Sequence, residues 1–510
     1  MVTEVFTSAT YGVDAYIIRV ETHIERGLYN FSVVGLPDNA VKESRNRVSA
    51  AIKNSGLLFP SIKRITINLS PADIKKGGAG FDLPIAIGLL CETNQLPPGM
   101  IGNYVIIGEL SLDGKLRRVP GILPITMEAK AKNFKGIILP RENAKEASIV
   151  NGIEIFPFDT LIEVFEFFSG RSIPNPFSFD LNTMFKNEEG NYLIDLSDVK
   201  GQFEVKRALE IAAAGAHNLI MIGLPGSGKT MLAKRLPTIL PALSLDEALE
   251  TTRVHSIAGL LSPDTPIIAT RPFRSPHHTA SDVAIVGGGP NAKLGEISLA
   301  HNGVLFLDEF SKFKRNVLEV LRQPLEDKCV TIARAKMTVK YPCNFMLVAA
   351  MNPSPAGSKK EEELYSDYEI QKFLSKISGP ILDRIDIHIH VNPVKYSELA
   401  SKTDSEKSSV IRERVIRARN IQLNRYQGCK GIFSNSNMGT KELREFCKID
   451  SAGENLLKTA TNKLGLSARA YDKILKVGRT IADLLGEDNI SPAHLGEAIQ
   501  YRSLDRSAWI

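Results

Sequence analysis

The segment Gly223-Leu224-Pro225-Gly226-Ser227-Gly228-Lys229-Thr230 constrains this chain more than any other. It fits the eight-position phosphate-loop pattern in full, directly after the strand-like run Asn218–Ile222 and before the helix-like Met231–Leu236. In such a loop, glycines let successive backbone N–H groups converge on phosphate oxygens. A lysine neutralises the β/γ charge and a hydroxyl reaches Mg²⁺. Lys229 and Thr230 take those two places, and all the residues of the loop are candidate nucleotide contacts. Downstream, Gly303-Val-Leu-Phe-Leu-Asp308-Glu309 reads as an apolar strand ending in two acids. Neighbouring strand residues point to opposite sides, so the carboxylates can do different work. Asp308 would join the Mg²⁺ shell and Glu309 would polarise the attacking water.

Around the loop, the continuous apolar runs Leu219–Ile222, Val304–Leu307 and Phe345–Ala350 have the character of parallel strands buried on both faces. Residues 196–393 therefore read as an α/β ATPase core. Residues 1–170 read as an α+β or α/β domain, with strands at Tyr16–Val20, Ile65–Leu69, Val105–Ile107 and Ile137–Leu139. Its helices are expected at Asn39–Asn54, Ile122–Lys132 and Asp159–Phe168. Residues 171–195, with Pro, Asn and Gly and no periodicity, read as a linker. Residues 394–510 read as a helical lid, with helices at Ser409–Tyr426, Lys441–Lys448, Ala470–Leu485 and Pro492–Tyr501.

The apolar runs Leu83–Cys91 and Leu219–Leu224 fall short of the roughly 20 residues a membrane helix needs. The start, Met1-Val-Thr-Glu-Val, lacks a secretory pattern. The expectation is a cytoplasmic protein with no membrane partner. The five cysteines, at 91, 329, 343, 429 and 447, are odd in number and form no CxxC pair, which argues against disulfides and zinc.

Further motifs are Val199-Lys-Gly-Gln, Arg271-Pro-Phe-Arg-Ser-Pro-His-His-Thr, Gly295-Glu-Ile-Ser-Leu-Ala-His, Ser378-Gly-Pro-Ile-Leu-Asp-Arg-Ile-Asp and Leu466-Ser-Ala-Arg-Ala-Tyr-Asp. With these the chain resembles, over nearly its whole length, the magnesium-chelatase-like AAA+ ATPases of the ComM/YifB family. The resemblance implies a P-loop AAA+ core using ATP and Mg²⁺. It makes Asn352 the sensor of the γ-phosphate or lytic water, Arg384 the arginine finger acting on a neighbouring subunit's nucleotide, and Arg469 the second sensor. A finger in trans implies a ring, and a homo-hexamer is the assembly of this class. The resemblance also implies binding and remodelling of DNA, as by the branch-migration helicase of natural transformation.

The N-terminal domain, through Gly108-Glu-Leu-Ser-Leu-Asp-Gly-Lys-Leu-Arg, resembles the proteolytic domain of Lon, an α+β fold of the ribosomal S5 domain 2 type. Lon chemistry needs a serine activated by a lysine. The matching regions read Lys76-Gly-Gly-Ala-Gly-Phe-Asp-Leu and Val119-Pro-Gly-Ile-Leu-Pro-Ile, without that serine or that lysine, so no peptidase activity is expected. Many relatives carry a Cys-rich insert after the sensor Asn. This chain has Asn352-Pro-Ser354-Pro and no Cys between 344 and 428, so no zinc is expected there.

For DNA, the stretch Val330–Lys340 reads as a hairpin carrying Arg334, Lys336 and Lys340, candidate phosphate contacts in a ring channel. The polar insert Arg271–Gly289 reads as a second channel loop, with the adjacent His277 and His278 diverging. His388 and His390 alternate on one strand face and lack a third ligand. The net charge of +6 lies in residues 394–510, with 20 Lys+Arg against 14 Asp+Glu, and Arg412, Arg414, Arg417, Arg419 and Arg425 read as a basic helix face. The rival readings are the ATPase subunit of a metal chelatase, which is expected to lack the N-terminal domain, or a protein-remodelling ATPase.

Overall fold

The computed structural model describes residues 3–74, 76–180, 185, 192–289, 292–334, 337–353, 379–394, 405–429 and 431–502. They form two compact units, one of residues 1–187 with 245–268, the other of 188–244 with 269–510.

The first unit is built on a mixed sheet. Its strands are β1 (Thr3–Tyr11), β2 (Asp14–Arg26), β3 (Asn30–Val34), β4 (Lys63–Ser70), β5 (Tyr104–Ile106), β6 (Gly136–Pro140) and β7 (Glu154–Phe158), in the order β3-β4-β2-β1-β5-β6-β7. Alternation in β4 buries Ile65, Ile67 and Leu69 beneath α1 (Asn39–Asn54) and α2 (Asp82–Glu92). Asp38 starts α1 by accepting the Val41 N–H at 2.9 Å. The buried α1 positions Val41, Ser44, Val48, Ala51 and Ile52 recur at helical spacing. A second core, with Val105, Ile137 and Leu139 against Ile122 and Ile125 of α3 (Ile122–Ala131), involves the other face of the sheet, while α4 (Leu161–Phe168) packs into the first core.

Residues 245–268, read from the sequence as ATPase core, belong to this first unit. Polar contacts hold the helix Leu245–Ile257 there: Ser256 Oγ donates to the buried Glu146 at 2.5 Å, and Arg253 pairs with Asp14 at 2.5 Å. These partners are far away in sequence, which is why local pattern does not reveal them.

The second unit contains five parallel strands, β8 (Leu219–Ile222), β9 (Phe273–Arg274), β10 (Val304–Leu307), β13 (Met346–Met351) and β14 (Ile387–His390). The hairpin strands β11 (Cys329–Arg334) and β12 (Met337–Pro342) lie between β10 and β13 in the chain. The sheet order is β9-β10-β13-β8-β14. Strands β8, β10 and β13 are wholly buried, in keeping with their unbroken apolar runs. One apolar core joins this sheet to the helices α5 (Phe203–Gly215), α7 (Ser408–Arg425), α8 (Ala468–Leu485) and α9 (Pro492–Gln500). α6 (Lys229–Arg235) follows β8.

A buried polar cluster ties α8 to the sheet. His217 Nδ1 meets Asp386 Oδ2 at 3.1 Å, His217 Nε2 meets Thr480 Oγ1 at 2.8 Å, and Lys473 Nζ donates to Asp386 Oδ1 at 2.5 Å. Burial alone would push the Asp386 carboxyl up. Lys473 and His217 overcome it and hold the group well below the usual carboxylate range.

The expected basic face of α7 is corrected by its pairing. Arg414 is bonded to Glu210 and Glu406, Arg425 to Asp483, and Arg412 donates to the Thr238 carbonyl at 2.7 Å. The charges of Arg414 and Arg425 are thus met by acids, Arg412 is turned to a backbone carbonyl, and Arg417 is exposed.

Candidate active site

Because β10, β13 and β8 are parallel neighbours, their C-terminal ends lie along one edge, and the residues that follow them converge there. After β8 comes the glycine-rich loop. Gly223 has room only for hydrogen, since an added Cβ would lie 2.3 Å from the Val391 carbonyl oxygen. Gly228, at φ +92°, turns the chain into α6 in a conformation that L side chains rarely adopt.

Lys229 Nζ donates to the carbonyls of Gly223 at 2.7 Å and Leu224 at 2.9 Å, and lies 3.3 Å from Asn352 Oδ1. Burial pulls its pKa down and Asp308 opposes that shift. These partners are neutral oxygens, so the ammonium can exchange them for an anion. The Thr230 hydroxyl donates to Asp308 Oδ2 at 2.7 Å, while Asp308 Oδ1 accepts the Glu309 N–H at 2.9 Å. A hydroxyl and a carboxylate are the hard oxygen donors that Mg²⁺ takes, and these residues fit a nucleotide with its magnesium.

Glu309 sits at φ +52°, just past the strand, and its carboxylate is held by two groups. Lys312 Nζ donates to Oε1 at 2.6 Å, and His278 Nδ1 lies 3.0 Å from Oε2. Lys312, with help from the two histidines, lowers the Glu309 pKa and keeps it ionised. His278 comes from the insert read as a channel loop. Its ring stacks on His277 at 4.2 Å, so the two side chains do not diverge as the sequence suggests. Arg271 and Arg274 of the same insert turn inward, to the Pro241 and Asn302 carbonyls and to Glu296.

Comparisons with known proteins fit this geometry. The model described as Magnesium chelatase, subunit ChlI, matches residues 195–399, and its C-terminal counterpart matches 405–502. A third model, Subunit ChlI of Mg-chelatase, matches residues 20–143. Competence protein ComM of Haemophilus influenzae is 43% identical over 506 residues, covering 98% of this chain and 97% of its own. The chain belongs to the ComM/YifB family of magnesium-chelatase-like AAA+ ATPases. YifB of Escherichia coli, described as uncharacterized, matches with the same identity and coverage. Lon protease 2 of Bacillus subtilis is 31% identical over 127 residues, 24% of this chain and 22% of its own. Family membership implies an ATPase that uses ATP and Mg²⁺. Magnesium-chelatase subunit ChlI of Cyanidium caldarium is 22% identical over 264 residues, 46% of this chain and 73% of its own.

Of the residues that the ComM/YifB resemblance singles out, Asn352 follows β13 and meets Lys229. Arg384 pairs with Glu326, and Arg469 pairs with the adjacent Asp383 at 3.1 Å and is largely exposed. Lys340 is exposed on β12, whereas Lys336 and the insert after Pro353 lie outside the described residues. His388 is buried beside Arg502, and His390 is exposed. Among the described residues no helix is long and apolar enough to cross a membrane. Lys312 and Glu326 are site partners that the motifs do not mark, and His278 lies in the Arg271–Thr279 motif without a role given to it there. Only the i,i+3 spacing of Glu309 and Lys312 is a local signal.

Proposed function

We propose that this protein is a ring-forming ATPase motor that binds and remodels DNA. The observation that carries the ATPase part is the meeting of Lys229, Thr230, Asp308, Glu309 and Asn352 at one edge of a parallel sheet. The name of the competence relative supports the DNA part.

Bound ATP with Mg²⁺ supplies the transferable phosphoryl group and most of its charge neutralisation. Within the chain, the loop from Gly223 to Thr230 binds phosphates, with Lys229 giving up its carbonyl partners to do so. Thr230 and Asp308 hold the metal. Glu309, kept ionised by Lys312, orients water and accepts its proton, and His278 positions that carboxylate. Asn352 reports on the phosphate through its contact with Lys229.

Arg384 acts in trans, within a homo-hexamer. Its pairing with Glu326 places it beside the helix Arg322–Asp327, which leads into the β11–β12 hairpin. Exchange of Glu326 for a neighbour's phosphate would therefore release the hairpin's base, a route from hydrolysis to DNA movement. Arg469, through Asp383, couples the helical lid to the same turn. The N-terminal domain is a Lon-like fold without the catalytic serine and lysine, serving assembly or nucleic-acid binding.

Strand exchange on a labelled four-way junction tests this reading. ATP-dependent conversion that Lys229→Ala abolishes supports it. Intact hydrolysis with no junction binding favours a chelatase subunit, the reading that the chelatase-described match at residues 20–143 supports.

A further inference from the structure

Outside the ATPase site, the first unit carries a basic and aromatic surface with no assigned role. Residues 26–64 contain seven Lys and Arg against two Asp and Glu, although the sequence outside 394–510 is neutral as a whole. The outer stripe of α1, Lys42, Arg45, Asn46, Ser49 and Lys53, has no acid in it. Tyr29, from the β2–β3 turn, and Phe59, from the loop before β4, pack edge to face at 6.5 Å. The Arg45 guanidinium lies over the Tyr29 ring at 5.2 Å, and Lys53 Nζ lies over the Phe59 ring at 5.4 Å.

Between them is a cleft of about 370 Å³ lined by Tyr29, Arg45, Asn46, Ser49 and Lys53, with no carboxylate in its wall. Its surroundings are unusual for a merely solvated face. Arg26 and Lys63 stand directly opposite each other in the antiparallel β2–β4 pair, a like-charge arrangement that costs stability. Leu28, Leu58 and Ile62 are 94%, 75% and 83% exposed in the same loops. Gln95 braces one of those loops by two hydrogen bonds to the Leu58 backbone, at 2.9 and 2.8 Å.

We infer that this surface binds single-stranded DNA. Arg45 and Lys53, which face aromatic rings rather than carboxylates, meet the phosphates, while Arg47 and Arg64 of the same stretch are paired with Asp82 and Glu25. The Tyr29 ring with the Arg45 plane offers a platform on which an unstacked base can lie. The exposed aliphatic residues suit base faces, which a duplex keeps stacked and hidden. The inference rests on the DNA reading above and names where the strand is held.

The test uses the full chain, a fluorescent oligodeoxythymidine and a blunt duplex, with wild type, Tyr29→Ala and the double variant Arg45→Glu/Lys53→Glu. Both variants should weaken oligodeoxythymidine binding about tenfold or more, and affect the duplex less. In a matched pair of salt titrations, Arg45→Ala/Lys53→Ala should flatten the log–log slope by about 1.4. Hydrolysis without DNA should be unchanged. Irradiation of a bromodeoxyuridine oligonucleotide on the wild type should place adducts on peptides holding Tyr29 or Phe59. Equal binding by wild type and variants, or adducts only elsewhere, overturns the inference and leaves the DNA reading standing. A wild type that binds no DNA overturns both. A changed assembly state with unchanged DNA affinity overturns it in favour of contact between copies.

Discussion

Arg384 is ion-paired with Glu326, two residues upstream of Lys328 and the hairpin strand that follows. In the proposed ring this arginine leaves Glu326 for the nucleotide of the next subunit. Arg384→Ala should lower hydrolysis about 10³-fold or more while nucleotide affinity holds. Mixing Arg384→Ala with Lys229→Ala chains should restore part of the activity, since one supplies a complete site and the other a finger. No recovery in the phosphate-release assay, with mixed assemblies demonstrated, would remove the action in trans.

The Thr230–Asp308 hydrogen bond joins the two proposed metal-holding groups. Thr230→Ser should retain activity. Thr230→Ala and Asp308→Asn should each raise the Mg²⁺ concentration needed for half-maximal hydrolysis, read from a magnesium titration at saturating ATP. An unchanged titration in both would exclude these residues as the holders.

Glu309→Gln should bind ATP normally and hydrolyse it about 10²–10⁴-fold more slowly. Lys312 lowers the Glu309 pKa, so Lys312→Ala should raise it, and the acid limb of the pH–rate profile should move to higher pH. A limb that stays in place would mean another group carries the proton.

Asp386 holds the helical lid to the sheet through His217 and Lys473, and Asp386→Ala should cost about 3–5 kcal/mol in denaturant unfolding by leaving a buried cation unpaired. Its folded pKa is depressed, so its contribution is present above the ordinary carboxylate range and is lost as pH falls through and below it. A variant as stable as wild type at neutral pH would show the cluster to be neutral in effect.

These partners mark where sequence reading stops. The phosphate loop is legible because its chemistry needs eight consecutive residues, and the strands Leu219–Ile222 and Val304–Leu307 because full burial leaves unbroken apolar runs. The helix Phe203–Gly215 is nearly all buried, so it shows no amphipathic period to mark it. His278, Glu326 and the acids on Arg414 and Arg425 are brought in by the fold from distant segments. Counting arginines therefore locates charge without telling which charges are already paired.

Whether hydrolysis at this site is coupled to DNA is read from the rate of phosphate release with and without forked DNA. We expect DNA to raise the wild-type rate and Lys229→Ala to abolish activity in both conditions. A wild type that hydrolyses ATP at the same rate with every DNA tried would mean that hydrolysis is not coupled to DNA.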